Sequence, residues 1–343
     1  MRVLFLTFQD YANVSTDICA ALNEHIDGWE AKVCSCHPHP FVYANKHDLD
    51  YDHATTKQKD DLKAWVEQGV DIVVWANEAN PRTYYDLYHT SRLFRDTLSF
   101  QQWERIPHKF IFHAGNSYRT YAGYFNDYDQ SQGIRQLVSP DLWRLALPEA
   151  QILFGKPIPF APQLRHAERR LVVGHSPTNY YLKGSGLIEK AVRALDVEYR
   201  QLGGPLQQGK SLPHAELAKR RADCDIYIDQ FSTVGGLGVS SLEAMAQGIL
   251  VLCSTQMIPD QLWTAASIPK PPIIHLPTPT GCDKIDILAL RAALEPWVKA
   301  GVSRVANQGK AGQHWVRQYF EPQVFAERFV GLLTRPVHAQ QSA

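Results

Sequence analysis

The sequence predicts an α/β chain of parallel sheets, arranged as two successive units. Three observations predict it. Short apolar runs alternate with segments of helical period along most of the chain, the pattern of parallel strands joined by helical crossovers. The stretch Asp225–Cys253, DIYIDQFSTVGGLGVSSLEAMAQGILVLC, shows one such strand–helix–strand unit in full. Between the two series lies Gly155–Glu168, which carries three prolines and no apolar period and reads as a linker.

Length and composition fit that reading. At 343 residues, 45% hydrophobic and 20% charged, the chain can bury two sizeable cores. Basic and acidic residues balance at 35 each, so no global field draws in nucleic acid or an anionic membrane. No apolar run reaches the roughly 18 residues that a transmembrane helix takes. The start, MRVLFLTF, has the pattern of a first strand rather than the layout of a signal peptide. Six cysteines, at positions 19, 34, 36, 224, 253 and 282, are sparse and sit mostly in apolar runs, which fits reduced thiols in a cytoplasmic protein. The cluster from Cys34 to His39 lacks the convergent spacing of a zinc site and fits the end of a strand.

In chain order, Arg2–Phe8 is a strand and Gln9–Asn13 its loop. A helix follows over about Val14–His25, capped by Asn13 or Ser15. Glu30–Cys36 is a strand, and His37–Gln58, polar and without period, a long surface loop. Within it Asp48 and Asp50 read as solvated. Asp60–Gln68 is a helix, Asp71–Trp75 a strand, Tyr84–Trp103 largely helical, and Lys109–His113 a strand followed by the loop AGNSYR. Gln136–Val138 and Gln151–Phe154 are short strands around a helix at Pro140–Leu147. The second series has strands at Arg170–Val173, Val197–Leu202, Ile226–Ile228, Ile249–Cys253 and Ile273–Leu276. Helices are expected at Ser185–Leu195, His214–Arg221, from Val239 through Ala246 with Gly248 as the stop, and Ile285–Ala300. Val302–Leu333 reads as two helices broken near Pro322, and the tail after Arg335 as frayed.

Three loops carry the candidate chemistry. In the first, Gly235, Gly236 and Gly238 stand where a strand hands over to a helix. Glycines allow close backbone approach there, and the helix start offers unpaired N–H groups to an anion, most often a phosphate. Glu243, one turn on, is flanked by apolar residues. It is either a solvated helix-face carboxylate or an acceptor for sugar hydroxyls. In the second, HSPTNYYLKG over 175–184, Lys183 is either a surface lysine beside a turn glycine or a diphosphate ligand. In the third, HAGNSYR over 113–119, His113 ends a strand and either caps or fills the core or offers its ring nitrogens to a ligand. The loop after the first strand adds Asp10 and Asn13, which can cap the helix or hydrogen-bond a ligand. No P-loop, G-x-G-x-x-G, H-E-x-x-H or G-x-S-x-G motif supports a rival chemistry.

GGLGVSSLEAMAQG resembles the donor-binding signature of retaining GT-B glycosyltransferases of group 1, family 4, usually E-G-F-G, four residues, then E-A-M-A-x-G. A bacterial branch reads D-Q, a short loop, G-W-Y-G, then A-L-E-A-M-A-x-G-K-P, and Asp229, Gln230, Gly235, Gly238 and Glu243 are similar to it. The H-x-P-(S/T)-N…K-G of 175–184 and the segment at His113 resemble the same branch. Three departures stand out: Gly235 for the first Glu, Gly236-Leu237 for Trp-Tyr, and Tyr180 for an Arg.

The resemblance implies two Rossmann-like domains facing across a cleft. Residues 1–160 would form the acceptor side and residues 169–318 the nucleotide-sugar domain, with 319–343 crossing back to the first as a helix before the tail. It implies transfer of a sugar from a nucleotide diphosphate to an acceptor hydroxyl, with retention and without a metal. His113 and Lys183 would be catalytic. Ser176, Asn179, Lys183, Gly235, Gly236, Leu237, Gly238 and Glu243 would bind the donor, Glu243 at the ribose. Asp10, Asn13 and Arg119 would face the acceptor, which could be a glycan, a lipid-linked glycan, a protein or a nucleobase hydroxyl. No cofactor beyond the donor is expected, and the sequence does not give the oligomeric state. The departures keep two alternatives open: a nucleotide-sugar epimerase of the same fold, and a catalytically weak nucleotide-sugar-binding subunit.

Overall fold

The computed structural model describes residues 1–38, 41–76, 98–160, 169–203 and 212–335. The chain divides into two compact units, one of Met1–His39, Asn45–Pro157 and Pro322–Ala343, the other of Pro40–Ala44 and Ile158–Glu321. Each is built on its own all-parallel sheet, so the chain is α/β.

The first unit contains strands β1 (Arg2–Gln9), β2 (Glu30–His37), β3 (Leu49–Asp50), β4 (Ile72–Ala76), β5 (His108–His113), β6 (Arg135–Val138) and β7 (Gln151–Ile152). They lie in the order β3-β2-β1-β4-β5-β6-β7. Its helices are α1 (Val14–His25), α2 (Thr56–Glu67), α3 (Phe100–Arg105) and α4 (Gly115–Ser131), with a 3-10 turn at Pro140–Leu145. The central strands are apolar on both faces, as a parallel sheet covered by helices requires. Leu4, Leu6, Val73, Trp75 and Ile111 belong to one cluster with Leu62, Trp65 and Phe125 of the helices.

The second unit contains β8 (Val172–His175), β9 (Glu198–Gln201), β10 (Ile226–Gln230), β11 (Leu250–Cys253) and β12 (Ile274–His275), in the order β12-β11-β10-β8-β9. Helices α5 (Ser185–Arg193), α6 (His214–Ala222), α7 (Val239–Ala246), α8 (Asp260–Ala265) and α9 (Asp283–Phe320) accompany it. Its core gathers Val173, Ile188, Val192, Ile226, Ile228, Leu250, Leu252, Leu290 and Leu294. The last helix, α10 (Pro322–Thr334), lies in the first unit, where Phe329 stacks on Phe5 of β1.

Several expectations change. The loop after β5 is helix α4, whose buried Tyr118 and Phe125 stand two turns apart. Its many Tyr, Asn and Gly residues hide that period, being weak helix formers. Helix α2 starts four residues early because Thr55 and Gln58 close a capping box. Helix α9 runs through the expected gap after Ala300 with a kink at Gly301, where φ is 77°. Helix α8 was not expected. Most of the expected helix Tyr84–Trp103 and the tail after Arg335 lie outside the described residues.

Candidate functional site

In the second unit β8 and β10 are neighbours, yet the chain leaves them in opposite directions. From β8 it runs to the outer strand β9, from β10 to β11. Such a switch point opens a crevice at the carboxyl ends of the two strands, where α/β sheets bind ligands. The loops there are 176–184 and 231–238, the two with anion-suited residues.

His175 ends β8. It is wholly buried, with Nδ1 2.7 Å from the Ile228 carbonyl oxygen and Nε2 2.7 Å from Ser185 Oγ. A carbonyl only accepts, so the proton sits on Nδ1 and the serine donates to Nε2. Burial pushes the imidazole down to about 4, with the Lys183 charge adding to it. His175 thus ties β8, β10 and the first turn of α5 together as a neutral strut. The loop between is wound on Asn179, whose Oδ1 accepts from the amides of Tyr181 (3.1 Å) and Leu182 (3.0 Å). The Asn179 carbonyl accepts from the Lys183 amide at 3.1 Å. Asn179 therefore shapes the turn that delivers Lys183. Ser176 is half-buried near Gly203.

Lys183 Nζ donates to Asp229 Oδ1 at 2.7 Å, with the lysine side chain 16% exposed and the carboxylate fully buried. Ser240 and Ser241, in the first turn of α7, donate to the two Asp229 oxygens at 2.8 Å each. Burial alone would raise the Asp229 carboxyl. The lysine charge and the three hydrogen bonds outweigh it and hold the group below its ordinary range. A side chain on Gly238 would start 2.6 Å from Asp229 Oδ2 and 3.7 Å from Lys183 Nζ, so only glycine lets the helix start come this close. Gly238 leaves the start of α7 without a side-chain cap. Gly236 is buried, its carbonyl accepting from Gln230 Nε2 (2.5 Å) and Cys253 Sγ (3.3 Å), and Leu237 is half-buried. At Gly235 a Cβ would lie 2.5 Å from the Ser254 carbonyl oxygen. The departure from Glu at this position has a steric cause.

Glu243 is neither solvated nor isolated. His214 Nε2 lies 2.8 Å from its Oε1, and Arg221 NH1 donates to Oε2 at 2.9 Å. Arg221 is itself buried and donates to Gln247 Oε1 at 2.9 Å, while Tyr43 stacks on His214 at 4.3 Å.

The first unit treats its residues differently. Asp10 is buried, and its oxygens accept from the Ser15 amide (2.9 Å), the Thr16 amide (2.9 Å) and the Thr16 hydroxyl (2.7 Å). It caps α1 and is not displayed to an acceptor. Burial would raise its carboxyl, but the His47 imidazole 3.8 Å away and the bonds from Thr16 and Ser15 outweigh that and lower it. Asn13 is also buried, in a left-handed conformation with φ 57°, and donates to Asp17 Oδ1 at 3.0 Å. His113 is enclosed: its side chain is 2% exposed, Nε2 lies 2.7 Å from buried Asp129, and the ring stacks on Tyr118. The strand end turns this imidazole into the helix α4 that follows, away from solvent. Arg119 donates to Asn116 at 2.7 Å and pairs with Asp141. Asp48 accepts from the Val33 amide at 2.8 Å and Asp50 pairs with His47, so neither is merely solvated. Among the described residues, no three His, Cys, Asp or Glu side chains gather as a cation site.

Sequence reasoning quoted Asp229 only as part of a motif and missed Arg221 and His214. A signal for Asp229 existed: a carboxylate ending an apolar strand is costly unless a cation meets it.

No family model matches the chain, and no curated protein matches it by sequence. Among solved structures it is similar to WaaG, a glycosyltransferase involved in lipopolysaccharide biosynthesis, at 14% identity over 97% of this chain and 100% of that one, with TM-score 0.45. It is similar to CalG4, the calicheamicin glycosyltransferase, at 12% identity over 97% and 98%, TM-score 0.42. It is also similar to MurG of Acinetobacter baumannii, at 11% identity over 97% and 99%, TM-score 0.41.

Proposed function

We propose that the chain is a GT-B glycosyltransferase that binds a nucleotide-diphosphate sugar in its second unit and moves the sugar to an acceptor hydroxyl. One observation carries the reading. At the switch point of that sheet, Lys183 and the uncapped glycine start of α7 converge within van der Waals distance, 3.7 Å from Lys183 Nζ to the Gly238 Cβ position. A cation beside a helix N-terminus is a diphosphate site. The corresponding helix start in the first unit is already filled by Asp10. Departure of the diphosphate is the demand this arrangement meets, by stabilising the charge that develops on it. In this reading Glu243, one turn further on α7, accepts from the ribose hydroxyls.

The finer reading is transfer with retention, without a metal ion, in the cytoplasm. The motif at Gly235–Gly248 supports retention. A lysine and backbone amides supply positive charge without a metal. Lys183→Ala should weaken binding of nucleoside diphosphates about ten- to hundredfold by calorimetry, the loss of a charge-assisted contact. Affinity equal to the parent's across UDP, GDP, ADP, CDP and dTDP would remove the site. Transfer should persist in excess EDTA, and rescue of lost activity by manganese or magnesium would overturn the metal-free reading.

A further inference from the structure

We propose that Asp229 is a positioning residue for the diphosphate: it acts through Lys183, locking the ammonium against the glycine start of α7. This rests on the donor reading above and goes beyond it by naming what builds the anion site. Three independent features of the backbone and side chains point to it.

The first is the strand. In the β10–β11 pairing Ile228 stands opposite Leu252 and Gln230 opposite Cys253, so Asp229 is the extra residue of a bulge. A bulge re-aims a side chain out of the regular alternation. Here it falls at the carboxyl end of the central strand, beside the switch point.

The second is convergence. The carboxylate collects Lys183 from the β8–α5 loop at 2.7 Å and Ser240 and Ser241 from α7 at 2.8 Å. Two elements that share no sequence proximity are fixed to each other through one side chain. Gly238 has no room for a Cβ because Asp229 Oδ2 would lie 2.6 Å from it. The glycine therefore answers to the carboxylate as well as to any ligand.

The third is charge. Asp229 neutralises the lysine that the anion needs, so as a plain counter-charge it would oppose binding. Removing a carboxylate beside an anion site strengthens the field there. A wholly buried carboxylate kept there has another effect: it holds Lys183 Nζ, a flexible four-carbon arm, in one geometry before ligand arrives. Less rotamer freedom then remains to be lost on binding.

The two effects predict opposite signs for Asp229→Asn, which keeps shape and removes charge. The probe is whichever of UDP, ADP, GDP, CDP and dTDP the parent holds tightest, with inorganic pyrophosphate as a base-free control, both by calorimetry. We expect Asp229→Asn to weaken both, by about tenfold or more, although the site has gained a positive charge. In a Lys183→Met background the same change should cost less than about threefold, because its route is gone. Ser240→Ala, which leaves the charges alone and removes one bond fixing the carboxylate, keeps the test open if Asp229→Asn does not fold. It should weaken pyrophosphate by a few-fold, again only when Lys183 is present. Equal or tighter binding by Asp229→Asn overturns the inference, as does an undiminished loss in the Lys183→Met background, which marks a fold effect. A parent that binds none of the five nucleotides sinks the donor reading itself, and the inference with it.

Discussion

Gly235 shows how a single residue can settle what a motif leaves open. The resemblance places a glutamate there, and the backbone oxygen of Ser254, 2.5 Å from any Cβ, forbids it. Gly235→Ala should cost about 1–3 kcal/mol by overpacking, read as a fall in melting temperature. Gly235→Glu should destabilise further and gain no donor affinity; a variant that melts normally and binds tighter would show the contact is not there. His175 gives a pH signature. Its folded value of about 4 lies below the ordinary 6.5. Between those values the unfolded chain takes up a proton that the folded chain refuses. The contribution is therefore full above 6.5 and is lost as pH falls toward 4, by on the order of 3 kcal/mol. Buried His47, raised by Asp10 and Asp50 against desolvation, contributes in the opposite sense, so the comparison needs a variant. Urea unfolding at pH 7.5 and 4.5 should show a smaller pH loss in His175→Asn than in the parent. An equal loss would mean that other groups carry it. The sequence could propose a role for His113 but not its direction. Whether a strand-end histidine faces solvent or folds back under the next helix depends on Asp129 and Tyr118, which only α4 brings to it.

At the scale of elements, the glycine-rich turn was legible because its structure is local: a strand, a tight turn and a helix start leave a fixed spacing in the chain. What grips Glu243 was not. Arg221 and His214 come from α6, over twenty residues upstream, and no local period encodes a pairing between two helices. Their presence changes what Glu243→Gln should do. It leaves the buried Arg221 guanidinium without its countercharge, and breaking such a pair typically costs about 3–5 kcal/mol. We therefore expect Glu243→Gln both to lower the melting temperature and to weaken nucleotide binding. Adding Arg221→Met should recover much of the melting temperature, since an apolar side chain of similar reach needs no partner. It should not recover nucleotide affinity. If affinity returns together with stability, Glu243 supports the fold alone and the ribose belongs elsewhere.

At the scale of the whole molecule, the division into two parallel sheets was legible from alternating strands and the proline-bearing linker, because each unit needs its own apolar series. Which unit the last helix completes depends on long-range packing. Helix α10 buries Phe325, Ala326, Phe329 and Leu333 in the first unit, and Arg135 of β6 closes its end by donating to the carbonyls of Leu333 (3.3 Å) and Arg335 (2.7 Å). Phe329 stacks on Phe5 of β1, ring centroids 6.1 Å apart. The first unit is thus finished by residues some 300 positions from its first strand, while the proposed diphosphate site lies wholly in the second. Phe329→Ala should remove about 3–5 kcal/mol from the first unit by leaving a cavity beside β1. The two cores are separate clusters, so the loss should not be shared equally. Calorimetric melting of the variant should split into two transitions, the earlier belonging to the first unit. Nucleoside diphosphate present in excess should raise the later one, since ligand stabilises the unit that binds it. A variant that melts in one transition, with the ligand shifting all of it, would show that the units unfold as a single cooperative body.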